Sequence, residues 1–230
     1  MSMTRARSIR VRKWWVLWGL MALSAVGFAV GSVPPYLTGD AADVPLPLNP
    51  EVALHYLSLM VHALPGGLAL ALGPVQFVSR LRVRRPALHR VAGRVYMISV
   101  VIASVAAAVN AAITISGFAV QVAFFILVAA WLYTLAMAYR SIRRGEVGLH
   151  RIWMIRNYAL TFAAVTLRVY LLLGLQLSPS AGFEAIYTSA VWASILGNVL
   201  VAEYFIVQRT LAPLARRQRH RDTPRVSTPV

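Results

Sequence analysis

Twenty-two of the 23 basic residues in this 230-residue chain fall into four short clusters, and the apolar stretches between them leave room for little except membrane-spanning helices. The clusters run from Arg5 to Lys13, Arg80 to Arg94, Arg140 to Arg156 and Arg209 to Arg225, with Arg168 alone outside them. A bilayer crossing takes about 20 apolar residues, so each interval holds two crossings and a turn. Six crossings result, and every cluster lands on one side. Cationic loops are retained on the cytoplasmic face, which predicts a multi-pass protein of the cytoplasmic membrane with both termini inside. The turns left on the other side contain Asp40, Asp43, Glu51 and Glu184 and no Lys or Arg.

At 59% hydrophobic residues and a mean hydropathy of +0.66, the sequence reads as one all-α integral membrane domain at 14–208, with a basic N-terminus at 1–13 and a basic, disordered tail at 209–230. A net charge of +16 would suggest nucleic acid in a soluble protein. Here the charge flanks spans, where topology and anionic lipid headgroups account for it, and no nucleic-acid partner is expected. The absence of cysteine removes disulfides and thiolate-held metals. The apolar run after Lys13 is longer than the core of a cleavable signal and lacks a small-residue cleavage site, so it reads as an uncleaved first span with Trp14, Trp15 and Trp18 at the interface.

The expected spans are 14–33, 52–79, 92–115, 118–139, 153–177 and 184–208, all helical because hydrocarbon offers the backbone no other hydrogen-bond partner. Span two carries Pro65, Pro74, Gly66, Gly67 and Gly73, which predicts a kink and close approach by a neighbour. The strings Arg84-Arg85-Pro86-Ala87-Leu88-His89-Arg90 and Arg143-Arg144-Gly145-Glu146-Val147-Gly148-Leu149-His150-Arg151 are parallel. They suggest an internal duplication in which spans two and three form one hairpin and spans four and five its repeat, with His89 and His150 at one depth.

Ionisable groups at membrane depth are costly and mark where function should be sought. An outer layer holds His62, Asn110, Gln121 and Arg168; an inner one holds His89, His150, Arg94, Arg156, Asn157 and Glu203. Arg168 stays charged and is too deep to reach either face easily, so it must bind a carbonyl, an amide such as Asn110, or an anionic ligand. His62, before the Pro65 break, reads equally as a ligand or proton-relay group and as a hydrogen-bonded packing residue, whereas His55 reads as packing. Glu203 is expected to pair with Arg94 or Arg156. His89 and His150, on diagonal spans, are placed to ligate a b-type haem, with Arg90, Arg94, Arg151 and Arg156 neutralising its propionates and Gly93 opening room for the macrocycle. Their position at the mouths of basic loops suits capping or headgroup contact as well. No metalloprotease, phosphate-loop or paired-carboxylate motif is present, so no catalytic residue is assigned.

The strings His62-Ala-Leu-Pro-Gly-Gly, Gly73-Pro-Val-Gln-Phe, Leu88-His-Arg-Val-Ala-Gly-Arg-Val-Tyr, Trp131-Leu-Tyr and the run from His150 to Arg168 resemble the bacterial membrane-protein family catalogued as domain of unknown function 2306, over roughly Leu54 to Glu203. The resemblance implies a multi-pass helical protein and no set activity. More distantly, the His-bearing antiparallel spans are similar to cytochrome b561-like diheme bundles. Two functions follow as expectations: b-haem-binding or quinone-linked electron transfer, with His62 and Arg168 forming an outer quinone or proton site, and transport or binding of an anionic or lipid-like solute along span two and Arg168. Reporter fusions at the turns bearing His89 and His150 are expected to report the cytoplasmic face at both. Opposite faces would remove any ligand shared by the two histidines.

Overall fold

The computed structural model describes residues 2–44 and 48–208, with side chains from Trp15 onward, so the expectations for the tail at 209–230 and for the side chains of 1–13 lie outside the described residues. Within them the chain forms α1 (Ser2–Ser32), α2 (His55–Gln76), α3 (Ser79–Arg84), α4 (Pro86–Ile113), α5 (Phe118–Arg143), α6 (Val147–Thr161), α7 (Ala163–Leu177) and α8 (Phe183–Ile206), with three short 3-10 turns and no strand. Six runs are long and apolar enough to cross a membrane: Trp15–Tyr36, His55–Gln76, Pro86–Ile113, Phe118–Arg143, Val147–Leu177 and Phe183–Ile206.

Two spans begin six residues earlier than hydropathy suggests, at Pro86 instead of 92 and at Val147 instead of 153. Hydropathy finds where apolar sequence starts, but a helix starts where the backbone is free to turn. Pro86 supplies the fixed φ that suits a first helical position, and Gly145, at φ 77°, reverses the chain just before Val147. Both Leu-His-Arg strings therefore lie in the first turns of helices rather than in loops.

The bundle is built around four crossings. Helix α2 packs on α4, α4 on α5, α5 on α6, and α6 returns to α2, leaving α4 and α6 diagonal. Helix α1 lies outside, against α2, and is the least buried span; α8 lies against α7, α6 and α5. The bundle has a basic end, with α3 and the turn at Arg144, and a far end, covered by the segment after Ser32.

Helical continuity is lost in the fifth span rather than the second. Helix α2 runs continuously through Pro65 and Pro74. Proline at 74 has no N–H, so the Leu70 carbonyl loses its usual donor. The Tyr158 hydroxyl of α6 donates to that carbonyl at 3.1 Å, replacing the missing bond from a neighbouring span. Gly73 makes room: a Cβ there would run into the Tyr158 ring. Indole Nε1 of Trp18 donates to the Pro74 carbonyl at 3.1 Å, tying α1 to the same turn.

The break occurs instead at Phe162, between α6 and α7. Side chains act on the backbone of the turn just before it: Thr161 Oγ1 donates to the Asn157 carbonyl at 3.0 Å, and the Asn198 amide of α8 donates to the Ala159 carbonyl at 2.9 Å. Such back-bonding bends helices, and no proline is needed.

Replacing Tyr158 by Phe is expected to lower the stability of detergent-solubilised protein by about 1–3 kcal/mol, the cost of a buried carbonyl left unpaired. Gly73→Ala, which drives a methyl into the ring, should be worse. Thermal unfolding of the two variants checks the order; a Gly73→Ala protein as stable as the parent would contradict the close approach.

Candidate functional site

The far half of the bundle encloses a chamber of about 460 Å³, a size suited to a small organic ligand. All six crossings contribute to its wall. Most of the lining is apolar, including Phe28, Leu59, Phe124, Leu167, Leu171 and Val191. Three of the residues expected in an outer polar layer come together here: His62 from α2, Asn110 from α4 and Arg168 from α7.

Each is held differently. His62 lies on α2 facing α4, and its Nδ1 donates to the Ala103 carbonyl at 2.9 Å. A carbonyl can only accept, so that bond fixes the proton on Nδ1 and leaves Nε2 as an acceptor. Asn110 is tied to the backbone and side chain of Ser58: the Ser58 hydroxyl donates to Asn110 Oδ1, and Asn110 Nδ2 donates to the Ser58 carbonyl at 3.3 Å. That pair staples α2 to α4 while leaving Asn110 at the chamber wall.

Arg168 does not bind Asn110 as expected. Its guanidinium carbon stands 5.6 Å from the centre of the Phe28 ring, a cation–π distance, and among the described residues it has no carboxylate partner. Its charge acts on Tyr36, His62 and Tyr187, which surround it. An aromatic face compensates a half-buried guanidinium only in part.

Gln121 is not part of the chamber. Its Nε2 donates to the Ala111 and Ala112 carbonyls at 3.1 and 3.2 Å, closing the last turn of α4 from the first turn of α5. His55 is the packing residue expected, with Nδ1 accepting the Asn49 N–H at 2.7 Å and holding the far-end loop.

Below the chamber lies a hydrogen-bonded layer that the sequence did not mark. The Tyr96 hydroxyl donates to Asn157 Oδ1 at 2.7 Å and lies 3.0 Å from Thr161 Oγ1, which accepts from Trp131 Nε1 at 2.9 Å. The Asn157 amide donates to the Trp131 carbonyl and to Thr134 Oγ1 at 2.8 and 2.9 Å. Asn157, placed by the sequence among the inner charges, thus belongs to a neutral network joining α4, α5 and α6. Tyr, Trp and Thr are ordinary in membrane helices; only Asn157 stood out by type.

At the basic end, Glu203 pairs with Arg156, Nε to Oε1 at 2.5 Å and Nη2 to Oε2 at 3.0 Å, clamping α8 to α6 as one of the two expected pairings. Arg156 also lies over the Trp153 ring at 4.5 Å. Arg90, Arg94 and Arg151 are exposed, whereas His89 and His150 are half-buried on the diagonal helices. His150 Nδ1 donates to the Ala138 carbonyl of α5 at 2.9 Å. The room expected at Gly93 is occupied: a Cβ there would lie 3.4 Å from Gln76 Oε1. Among the described residues no group of three or more His, Asp or Glu could hold a metal ion.

Among curated proteins and among solved structures, none matches the chain. A family model described as a predicted membrane protein, DUF2306, matches residues 59–206, which include the network beneath the chamber, both Leu-His-Arg strings and the chamber wall except its residues from α1 to His55. The chain belongs to that family of multi-pass membrane proteins.

Proposed function

We propose that the protein binds a small amphipathic molecule in the far-half chamber, its apolar body against the helix walls and an anionic or carbonyl-rich head at Arg168, with His62 and Asn110 completing the polar contacts. The observation that carries this reading is a guanidinium at membrane depth, without a carboxylate partner among the described residues, opening into a cavity of about 460 Å³. Arg168 supplies charge and a planar fork of donors. His62 Nε2 accepts a hydrogen bond, and it can take up a proton from an acidic head. Fatty-acid-like carboxylates and quinones both meet this description, so the reading takes in the small-solute function and the quinone half of the electron-transfer function expected from the sequence.

The test is thermal stabilisation of purified protein by a long-chain carboxylate, a quinone and an uncharged alcohol of matched length. Stabilisation by a carboxylate or quinone, weakened about tenfold in affinity by Arg168→Gln, about 1.4 kcal/mol, supports the reading. No response to any of them, or an unchanged response in Arg168→Gln, refutes it.

A second reading places haem b between His89 and His150. One observation favours it: the Ala138 bond fixes the His150 proton on Nδ1 and leaves Nε2, the usual ligand atom, free. Against it stands the Gln76 side chain in the space beside Gly93. A reduced-minus-oxidised spectrum of protein expressed with ample haem decides the matter. A Soret band lost in His89→Ala would establish it, and a colourless protein would remove it.

A further inference from the structure

The two Leu-His-Arg strings end in different chemical states. His150 gives its Nδ1 proton to a carbonyl of the neighbouring span. His89 has no counterpart, and its Nδ1 is buried without a partner among the described residues. Nearby on α2 is Gln76, only 8% exposed, whose Nε2 is likewise buried and unpartnered. Its Oε1 lies against Gly93, one turn along α4 from His89. Buried polar atoms almost always find a partner, so two unpaired ones on facing helices mark a place built for something else.

What surrounds them is positive. The groups whose charge acts on His89 are Arg82, His150 and Arg90, and none of these forms an ion pair among the described residues. Arg82, on the short helix α3, is held below the ordinary guanidinium value by burial and then by the charge of Arg151 from α6. Arg82, on α3 packed against α4, and Arg151, in the first turns of α6, have no carboxylate partner among the described residues, and such cations are relieved by an anion.

We propose that Gln76, His89, Arg82 and Arg151 form a binding site for a phosphate-type anion at the basic end, either the headgroup of an anionic lipid or free phosphate. The guanidiniums attract and orient it, and the Gln76 amide with the imidazole N–H supplies donors beneath. The site lies at the opposite end of the bundle from the Arg168 chamber and does not depend on the reading given to that chamber.

Full-length protein in detergent is titrated with phosphatidylglycerol, phosphatidylcholine or inorganic phosphate, read by native mass spectrometry and thermal shift. Phosphatidylglycerol retained at least tenfold more tightly than phosphatidylcholine assigns the lipid headgroup; a response to inorganic phosphate alone assigns the free anion. Arg82→Gln with Arg151→Gln should lose that binding, whereas Arg140→Gln with Arg143→Gln, the same charge removed nearby on the same end, should keep it. Gln76→Leu should fold with an unchanged or higher melting temperature in the absence of the anion yet gain less from it. Equal loss in the two double variants, which would mean diffuse charge only, overturns the proposal, as does indifference to all three additions.

Discussion

The structure depends on the rule that a backbone carbonyl inside hydrocarbon cannot be left without a donor. Pro74 breaks that rule within α2, and the Tyr158 hydroxyl restores it from α6. The repair has geometric reach. For a tyrosine on one span to bond the backbone of another, the helices must come together at a glycine, and Gly73 is where they do. That contact closes the ring of four crossings toward the basic end, and the chamber occupies the far half. The same logic recurs where Asn198 and Thr161 serve carbonyls at the break between α6 and α7.

Arg156 and Arg168, both half-buried, receive opposite treatment. Arg156 and Glu203 neutralise each other with two hydrogen bonds, so the pair acts as a clamp with little left to offer a ligand. Arg168 has only the Phe28 ring and a ring of tyrosine and histidine dipoles. A protein that needed merely to join α7 to α1 could do so with an apolar side chain. The permanent cation kept there faces the chamber instead.

Much of the architecture was readable because charge and apolarity were so cleanly separated along the chain. Span number followed from the spacing of arginines, and the diagonal relation of α4 and α6 from the order of crossings. His62, Asn110 and Arg168 were also found by type, since each is conspicuous in a lipid environment. Gln121 misled because the sequence gives its depth but not its direction, and it turned toward the end of α4. Tyr158 and Gly73 were invisible as partners because the donor lies 88 positions from the carbonyl it serves. The prolines of span two predict a kink, and α2 stays helical through both, while the interruption at Phe162 lies beside a hydroxyl and an amide that act on the ladder.

The layer formed by Tyr96, Asn157, Thr161, Trp131 and Thr134 carries a consequence for how anything travels in this protein. Each side chain in it is already committed to another, and Tyr96 and Asn157 are wholly excluded from solvent. The cavity above is therefore a blind-ended well. Parting that layer would require breaking several bonds at once in a medium that offers no replacements, so it acts as a fixed floor between the chamber and the basic end.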